Sequence, residues 1–298
     1  MAVSPRIIKR RIKSIRSTRK IMKAMELVAA SKMRKATQLA LGSRVYAQAI
    51  QTLSQQVQGL VDPLQHPLLT GWGIEAKAGQ IKKTLLILVA SDRGLCGGFN
   101  SQIVKKAFEF VRTEELQTVE LVTIGRRAEQ AAKRAGYPIT ASFESLANAP
   151  AFDRARPIAE FLKQEFLNGS VGKVYMAYTN FKSALNQIPV VTQLLPITQD
   201  AQATSYEQHA ESDDSIIWEP SPDQVLDQLL PRAVDMSLYQ GFLESAASEQ
   251  SARMMAMRSA GDAAGEMLDD LTFSLNQARQ AVITREISEI SAGKAAIE

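Results

Sequence analysis

The stretch SPRIIKRRIKSIRSTRKIMKAMELVAASKMRKA, Ser4 to Ala36, decides the fold. Serine followed by proline is a helix start: the hydroxyl can cap free amides, and proline at the first helical position gives up no donor that the helix needs. No further proline occurs before Pro63. Within that span Ile8, Ile15, Met22, Ala29 and Ala36 recur at heptad spacing, with Ile12, Met33, Ala40 and Ala47 on the companion position. Such a pattern is the seam of a coiled coil, and it predicts one helix over about 4–58.

The other end of the chain mirrors it. Ser221-Pro222 starts a second helix, with Gln224 at the spacing of a capping box, and Pro231 is expected to bend or interrupt its first turns. Beyond it Met236, Leu243, Met257, Ala264, Leu271 and Ala278 occupy one seam position, and Ala247, Met254, Leu268, Leu275 and Val282 the other. Gln240, Gln250 and Gly261 are the exceptions, and the helix is expected to reach about residue 290.

At 1.5 Å per residue these helices would be roughly 80 Å and roughly 100 Å long, against about 35 Å for a compact domain of the remaining residues. They must therefore pair, antiparallel and projecting, with an unpaired C-terminal tip near 276–298. Between them the chain alternates. Strands are predicted over 84–90, 120–124, 173–179 and 187–197, and helices over 101–111, 126–134 and 153–167, the rhythm of a parallel sheet covered by helices. The last strand carries Pro189 and Pro196, which lack amide donors, so it belongs at an edge. Residues 199–215, polar and acidic, read as a flexible link.

The fold class that follows is α/β: a long antiparallel coiled coil of the N- and C-terminal helices plus a central Rossmann-like α/β domain with a mostly parallel sheet. Its parts are 1–60, 80–198 and 216–298, the last pairing with the first.

With 298 residues, 45% of them hydrophobic, the chain has material for a real core. Its one cysteine, Cys96, excludes an intrachain disulfide and a thiol-bound zinc or iron–sulfur centre, which fits a reducing compartment. No apolar run approaches the roughly 20 residues of a membrane span, and the basic pattern after Met1 is no signal-peptide core, so the mature chain is expected to be the sequence as it stands. The net charge of +4 is unevenly placed. Arg6, Lys9, Arg10, Arg11, Lys13, Arg16, Arg19, Lys20, Lys23, Lys32, Arg34 and Lys35 meet only Glu26 in the first 35 residues, whereas acidic residues outnumber basic ones in the C-terminal helix.

Two sites for chemistry present themselves. Ser91 to Asn100, SDRGLCGGFN, follows a strand and opens a helix, so its amides could cradle a phosphate and Cys96 could act as a nucleophile. Against this, there is no GxxxxGK[ST] loop, and His66 and His209 have no sequence link to Cys96, so a tight structural turn is the better reading. The basic N-terminal helix fits the footprint of a nucleic-acid binder, the alternative function, but an acidic partner helix would neutralise much of it. Methionines gather on and beside the seam, Met22, Met25, Met33, Met254, Met255 and Met257, and Met25 and Met255 fall off it, toward a partner.

Four segments taken in order carry a resemblance. They are Lys23 to Lys35 (KAMELVAASKMRK), Ser91 to Asn100, Ser248 to Met254 (SEQSARM) and Ala278 to Glu286 (ARQAVITRE). Together they resemble the gamma subunit, the central rotor shaft, of the F-type rotary ATP synthase, over nearly the whole chain. Lys294 departs from the terminal signature of that family, where alanine usually follows the glycine matching Gly293. Nothing after about residue 197 is similar to the cysteine-bearing insertion of plant chloroplast members.

The resemblance implies a non-catalytic rotor subunit with no cofactor, no bound metal and no small-molecule substrate of its own. Its implied partners are three alpha and three beta subunits, the epsilon subunit and the membrane rotor ring of c subunits, with no nucleic acid. The implied location is peripheral, on the cytoplasmic face of a bacterial inner membrane. By the same resemblance Arg279, Gln280 and Thr284 meet a catch loop of beta, and Met25 and Arg253, with Lys32, Arg34 and Lys35, meet an acidic lever loop of beta. Trp218 and Glu219 are the implied contacts with the membrane ring.

Overall fold

The aliphatic run after Lys83 becomes the middle of a five-stranded sheet. A computed structural model describes residues 5–58, 61, 66–70, 83–114, 116, 118–145, 147, 151–197 and 218–295. Strand β1 (Lys83–Val89) pairs in parallel with β2 (Val119–Ile124) on one side and β4 (Val171–Phe181) on the other. Strand β3 (Ile139–Phe143) adds in parallel beyond β2, and β5 (Gln187–Leu195) pairs antiparallel with β4, giving the order β3-β2-β1-β4-β5. The sheet is thus mostly parallel, with the proline-bearing strand at an edge as expected.

β1 shows no alternation in sequence because both its faces are covered. Leu86 and Leu88 pack under α3 (Phe99–Thr113) and α4 (Arg126–Ala135), through Ile103, Ala107, Ala128 and Ala132. Leu85, Ile87 and Val89 face α5 (Phe152–Leu167) and the start of the last helix, through Ile158, Leu162, Leu230 and Leu238. Strand β3 and a short helix α2 (Pro67–Thr70) were not legible in the sequence. β3 is a five-residue edge strand with Thr140 and Ser142 facing out, so it lacks the aliphatic run that marks the inner strands.

The terminal helices are α1 (Pro5–Gln58) and α6 (Pro222–Ala295), and Ser221 Oγ accepts the Gln224 N–H at 3.4 Å as the capping pattern predicts. Ser4 lies outside the described residues, as do 199–215 and His209. Pro231 does not interrupt α6: burial of Leu226, Leu230, Val234 and Leu238 holds those turns despite the missing donor.

The chain divides into two compact units, 1–29 with 253–298 and 30–252. In the first, Ile8, Ile12 and Leu268 form a buried cluster flanked by Ile15, Leu271, Leu275 and Ala278, and Arg19 lies against Gly265. In the second, Ala36 packs with Ala246 and Ala247 while Ser43 bonds to Gln240. In each unit α1 numbers fall as α6 numbers rise, so the two helices run antiparallel; Ile8, Ile12, Ala36, Ala247 and Leu268 are heptad positions read from the sequence, while Gln240, read as an exception, also faces α1. The α1 seam also continues past Ala47 to Ile50, Ser54 and Val57, all buried.

Candidate partner surfaces and the Ser91–Asn100 turn

The turn after β1 is held by its own side chains. Asn100, in the first turn of α3, accepts the Ser91 N–H on Oδ1 at 3.0 Å, and its Nδ2 donates to Ser91 Oγ at 2.8 Å and to Cys96 Sγ at 3.1 Å. Ser91 Oγ donates onward to the Arg93 carbonyl. Cys96 is buried at 2% exposure within this network, a position in which a thiol meets no outside substrate. His66 is committed elsewhere. Its Nδ1 accepts the Leu68 N–H at 3.1 Å at the start of α2, and its Nε2 lies 3.4 Å from Asp227 of α6. Burial pushes the His66 pKa down, with Asp227 opposing more weakly.

Next to this turn, Asp92 Oδ1 accepts the Arg126 N–H at 3.1 Å and the Ser145 N–H at 3.3 Å, tying β1 to the ends of β2 and β3. Gly125 at the end of β2 has φ +91°, and a Cβ there would lie 2.2 Å from the Ala90 carbonyl oxygen. Only glycine permits the approach. The segment is therefore built as a structural turn. Among the described residues no group of three His, Cys, Asp or Glu side chains could hold a metal ion, and no helix is long and apolar enough to cross a membrane.

The end of α6 has the opposite character. Residues 279–292 are exposed on every side of the helix, Arg279, Gln280 and Thr284 among them. The exposure includes Val282, Ile283, Ile287 and Ile290, the last 73% exposed. A helix with apolar residues uncovered in this way marks an interaction site. Of the residues implied for the lever loop, Met25 and Arg253 are half-buried in the first unit; in the second unit Lys32 is half-buried and Arg34 and Lys35 are exposed. Trp218 packs partly against the core that includes Val57, Leu68 and Leu226, while Glu219 beside it is exposed.

One buried set escaped the sequence reading. From Glu244 to Ser251 all eight residues of α6 are buried, and six of them are polar, where a helix buried all round is normally apolar. Partners explain Glu244, Ser248 and Ser251. Ser248 Oγ donates to the Thr179 carbonyl at 3.2 Å, and Ser251 Oγ donates to the Ala184 carbonyl at 2.7 Å while accepting from Gln187 Nε2 at 3.4 Å. Arg44 of α1 donates to Glu244 Oε1 at 3.0 Å, and Gln240 Nε2 donates to the same oxygen at 3.0 Å and to the Ala40 carbonyl at 3.2 Å. Tyr178 stands close by, its phenol pushed far above the ordinary range by burial and by the Glu244 charge. Gly241 lets α6 come this near to β4, since a Cβ there would lie 2.6 Å from Met176 Cε. The available signal was the run of Ser, Glu and Gln breaking the heptad at Gln240 and Gln250.

Comparison with known proteins agrees with this construction. A family model described as ATP synthase matches residues 4–297. The chain is 42% identical over 294 residues to the ATP synthase gamma chain of Heliobacterium modesticaldum, covering 98% of each chain. It is 41% identical over 298 residues to that of Pelotomaculum thermopropionicum, covering 99% of each. Its fold is similar to a chain of the Euglena gracilis mitochondrial ATP synthase (TM-score 0.67, 15% identity, 98% of this chain and 94% of that one). It is also similar to a chain of the Tetrahymena thermophila mitochondrial ATP synthase central stalk and c-ring (TM-score 0.55, 24% identity, 80% and 99%). With identity of this order sustained from end to end, the chain belongs to the ATP synthase gamma chain family.

Proposed function

We propose that this chain turns as the shaft of its complex and has no catalytic step of its own. Family membership makes it the central-stalk subunit of an ATP synthase; the finer reading concerns how it works there. The observation that carries it is the end of α6: residues 279–292 expose every face, apolar ones included, as a helix does whose partner surrounds it. Three alpha and three beta subunits around the paired helices are that partner, with epsilon and the c-subunit ring meeting the α/β part. The parts are the N-terminal helix 1–60, the central domain 80–198 and the C-terminal helix 216–298. The complex then sits with this chain peripheral, on the cytoplasmic face of a bacterial inner membrane.

Arg279, Gln280 and Thr284 engage a catch loop of one beta subunit. Met25 and Arg253, assisted by Lys32, Arg34 and Lys35, attract an acidic lever loop. Glu219, exposed, is the better of the two ring contacts, and Trp218 supports it from the core. A basic α1 beside an acidic α6 shows different surfaces to three chemically identical subunits, so rotation favours a different conformation of each in turn and couples proton flow to nucleotide affinity. Nothing in the comparisons favours the nucleic-acid reading.

Reconstitution tests this. The purified chain should hydrolyse no ATP, and together with alpha and beta subunits it should yield a complex whose ATP hydrolysis drives rotation. ATPase that tracks the concentration of the chain alone and vanishes in Cys96→Ala would overturn the proposal. So would retention on immobilised DNA at physiological salt without co-purification of alpha and beta.

A further inference from the structure

A long helix that leaves a folded part transmits twist only if it cannot roll within that part. Apolar packing resists a roll weakly, because it has no preferred direction. Hydrogen bonds resist it strongly: with side-chain atoms about 5 Å from the axis, a roll of about 20° carries a donor about 2 Å, past the whole range of bonding distances.

α6 is tied in this directional way between Asp235 and Ser251. On one side Lys163 of α5 donates to Asp235 Oδ1 at 2.6 Å, both side chains being mostly buried. Gln240, Glu244, Ser248 and Ser251 lie about 140–180° around the helix from Asp235. There Gln240 donates to the Ala40 carbonyl and Arg44 donates to Glu244, which fixes α6 to α1. Ser248 and Ser251 fix it to the sheet, through the carbonyls of Thr179 and Ala184.

The two serines differ from the other ties. A helical serine ordinarily turns its hydroxyl to the carbonyl one turn back, whereas both of these, fully buried, reach another element. Their acceptors are backbone and cannot swing aside. Thr179 lies on β4 past the last β1–β4 pair, Leu88 with Ala177, and Ala184 lies in the turn between β4 and β5. Ser251 is also the last residue but one of the second compact unit, 30–252. In the first unit Ile8, Ile12 and Leu268 hold α1 and α6 by apolar contact.

We infer that Ser248 and Ser251 are torque-positioning residues: by fastening α6 to the carbonyls of β4 and its turn, they stop the helix from rolling in the α/β part, so that twist applied to either reaches the other. The role rests on the reading of the chain as a turning shaft.

Torsional stiffness tests it. The full chain is assembled with alpha and beta subunits, and a rod is attached to the α/β part at an exposed position of α3 through Lys106→Cys. The angular variance of the rod in a paused complex varies inversely with stiffness. Ser248→Ala with Ser251→Ala should still assemble and turn, but with a larger variance than the unaltered rotor. Val111→Ala, in the layer between α3 and the sheet, lowers Tm without cutting a tie and should leave the variance unchanged. A double variant with the variance of the unaltered rotor overturns the inference, and so does equal broadening in Val111→Ala, which would make the effect one of general loosening. An unaltered chain that assembles but does not turn overturns the shaft reading, and this role with it.

Discussion

Gly125 and His66 show how much a single position can hold. At Gly125 the obstacle to a side chain is backbone, the Ala90 carbonyl 2.2 Å away, which cannot rotate aside as a flexible side chain would. Gly125→Ala should therefore destabilise the domain by more than about 2 kcal/mol, measured by chemical denaturation. A loss no larger than that of an exposed glycine such as Gly136→Ala would contradict the clash. At His66 the argument runs through protons. Burial holds its pKa below the ordinary 6.5, so below that pH the unfolded chain takes up more protons than the folded one. Stability should be level above about pH 6.5 and fall as pH drops through the folded pKa. In His66→Gln the Tm should fall less over the same pH range; an unchanged slope would assign the loss to other groups.

Among the elements, the contact of α1 with α6 was legible as a seam but not as chemistry. Heptad spacing identified Ile8, Ile12, Ala29, Ala36 and Ala40 as buried, because burial along a helix pair follows from local periodicity alone. It scored Gln240 as an exception, whereas Gln240 bonds to Ser43, the Ala40 carbonyl and Glu244. Glu244 is buried, and its Oε2 has no hydrogen-bond partner among the described residues, so the carboxylate depends on Arg44. Arg44→Ala should cost about 1–3 kcal/mol, toward the low end because the arginine is 38% exposed and partly screened. Glu244→Gln should cost less, and the double variant less than the sum of the two. Strictly additive losses in a denaturation cycle would show that the pair does not act together.

For the molecule as a whole, the surface proposed to meet beta lies where the described residues are least buried. Arg279 and Gln280 are exposed, so Arg279→Ala with Gln280→Ala should leave thermal stability unchanged within about 0.5 kcal/mol while weakening assembly with alpha and beta or the torque of the assembled rotor. Normal assembly and normal rotation in that double variant would remove the catch assignment. By itself the sequence determined both terminal helices, their seam, the aliphatic inner strands and the edge position of β5, since each is written in spacing, proline placement or a run of one residue type. Only the tertiary structure decided the strand order, the short edge strand β3 and the turn network of Asn100 with Ser91 and Cys96. It alone placed the polar run Glu244–Ser251 in the interior. Those features depend on which groups meet across distant parts of the chain: a serine is a surface residue or a buried anchor according to whether a carbonyl such as that of Thr179 stands opposite it.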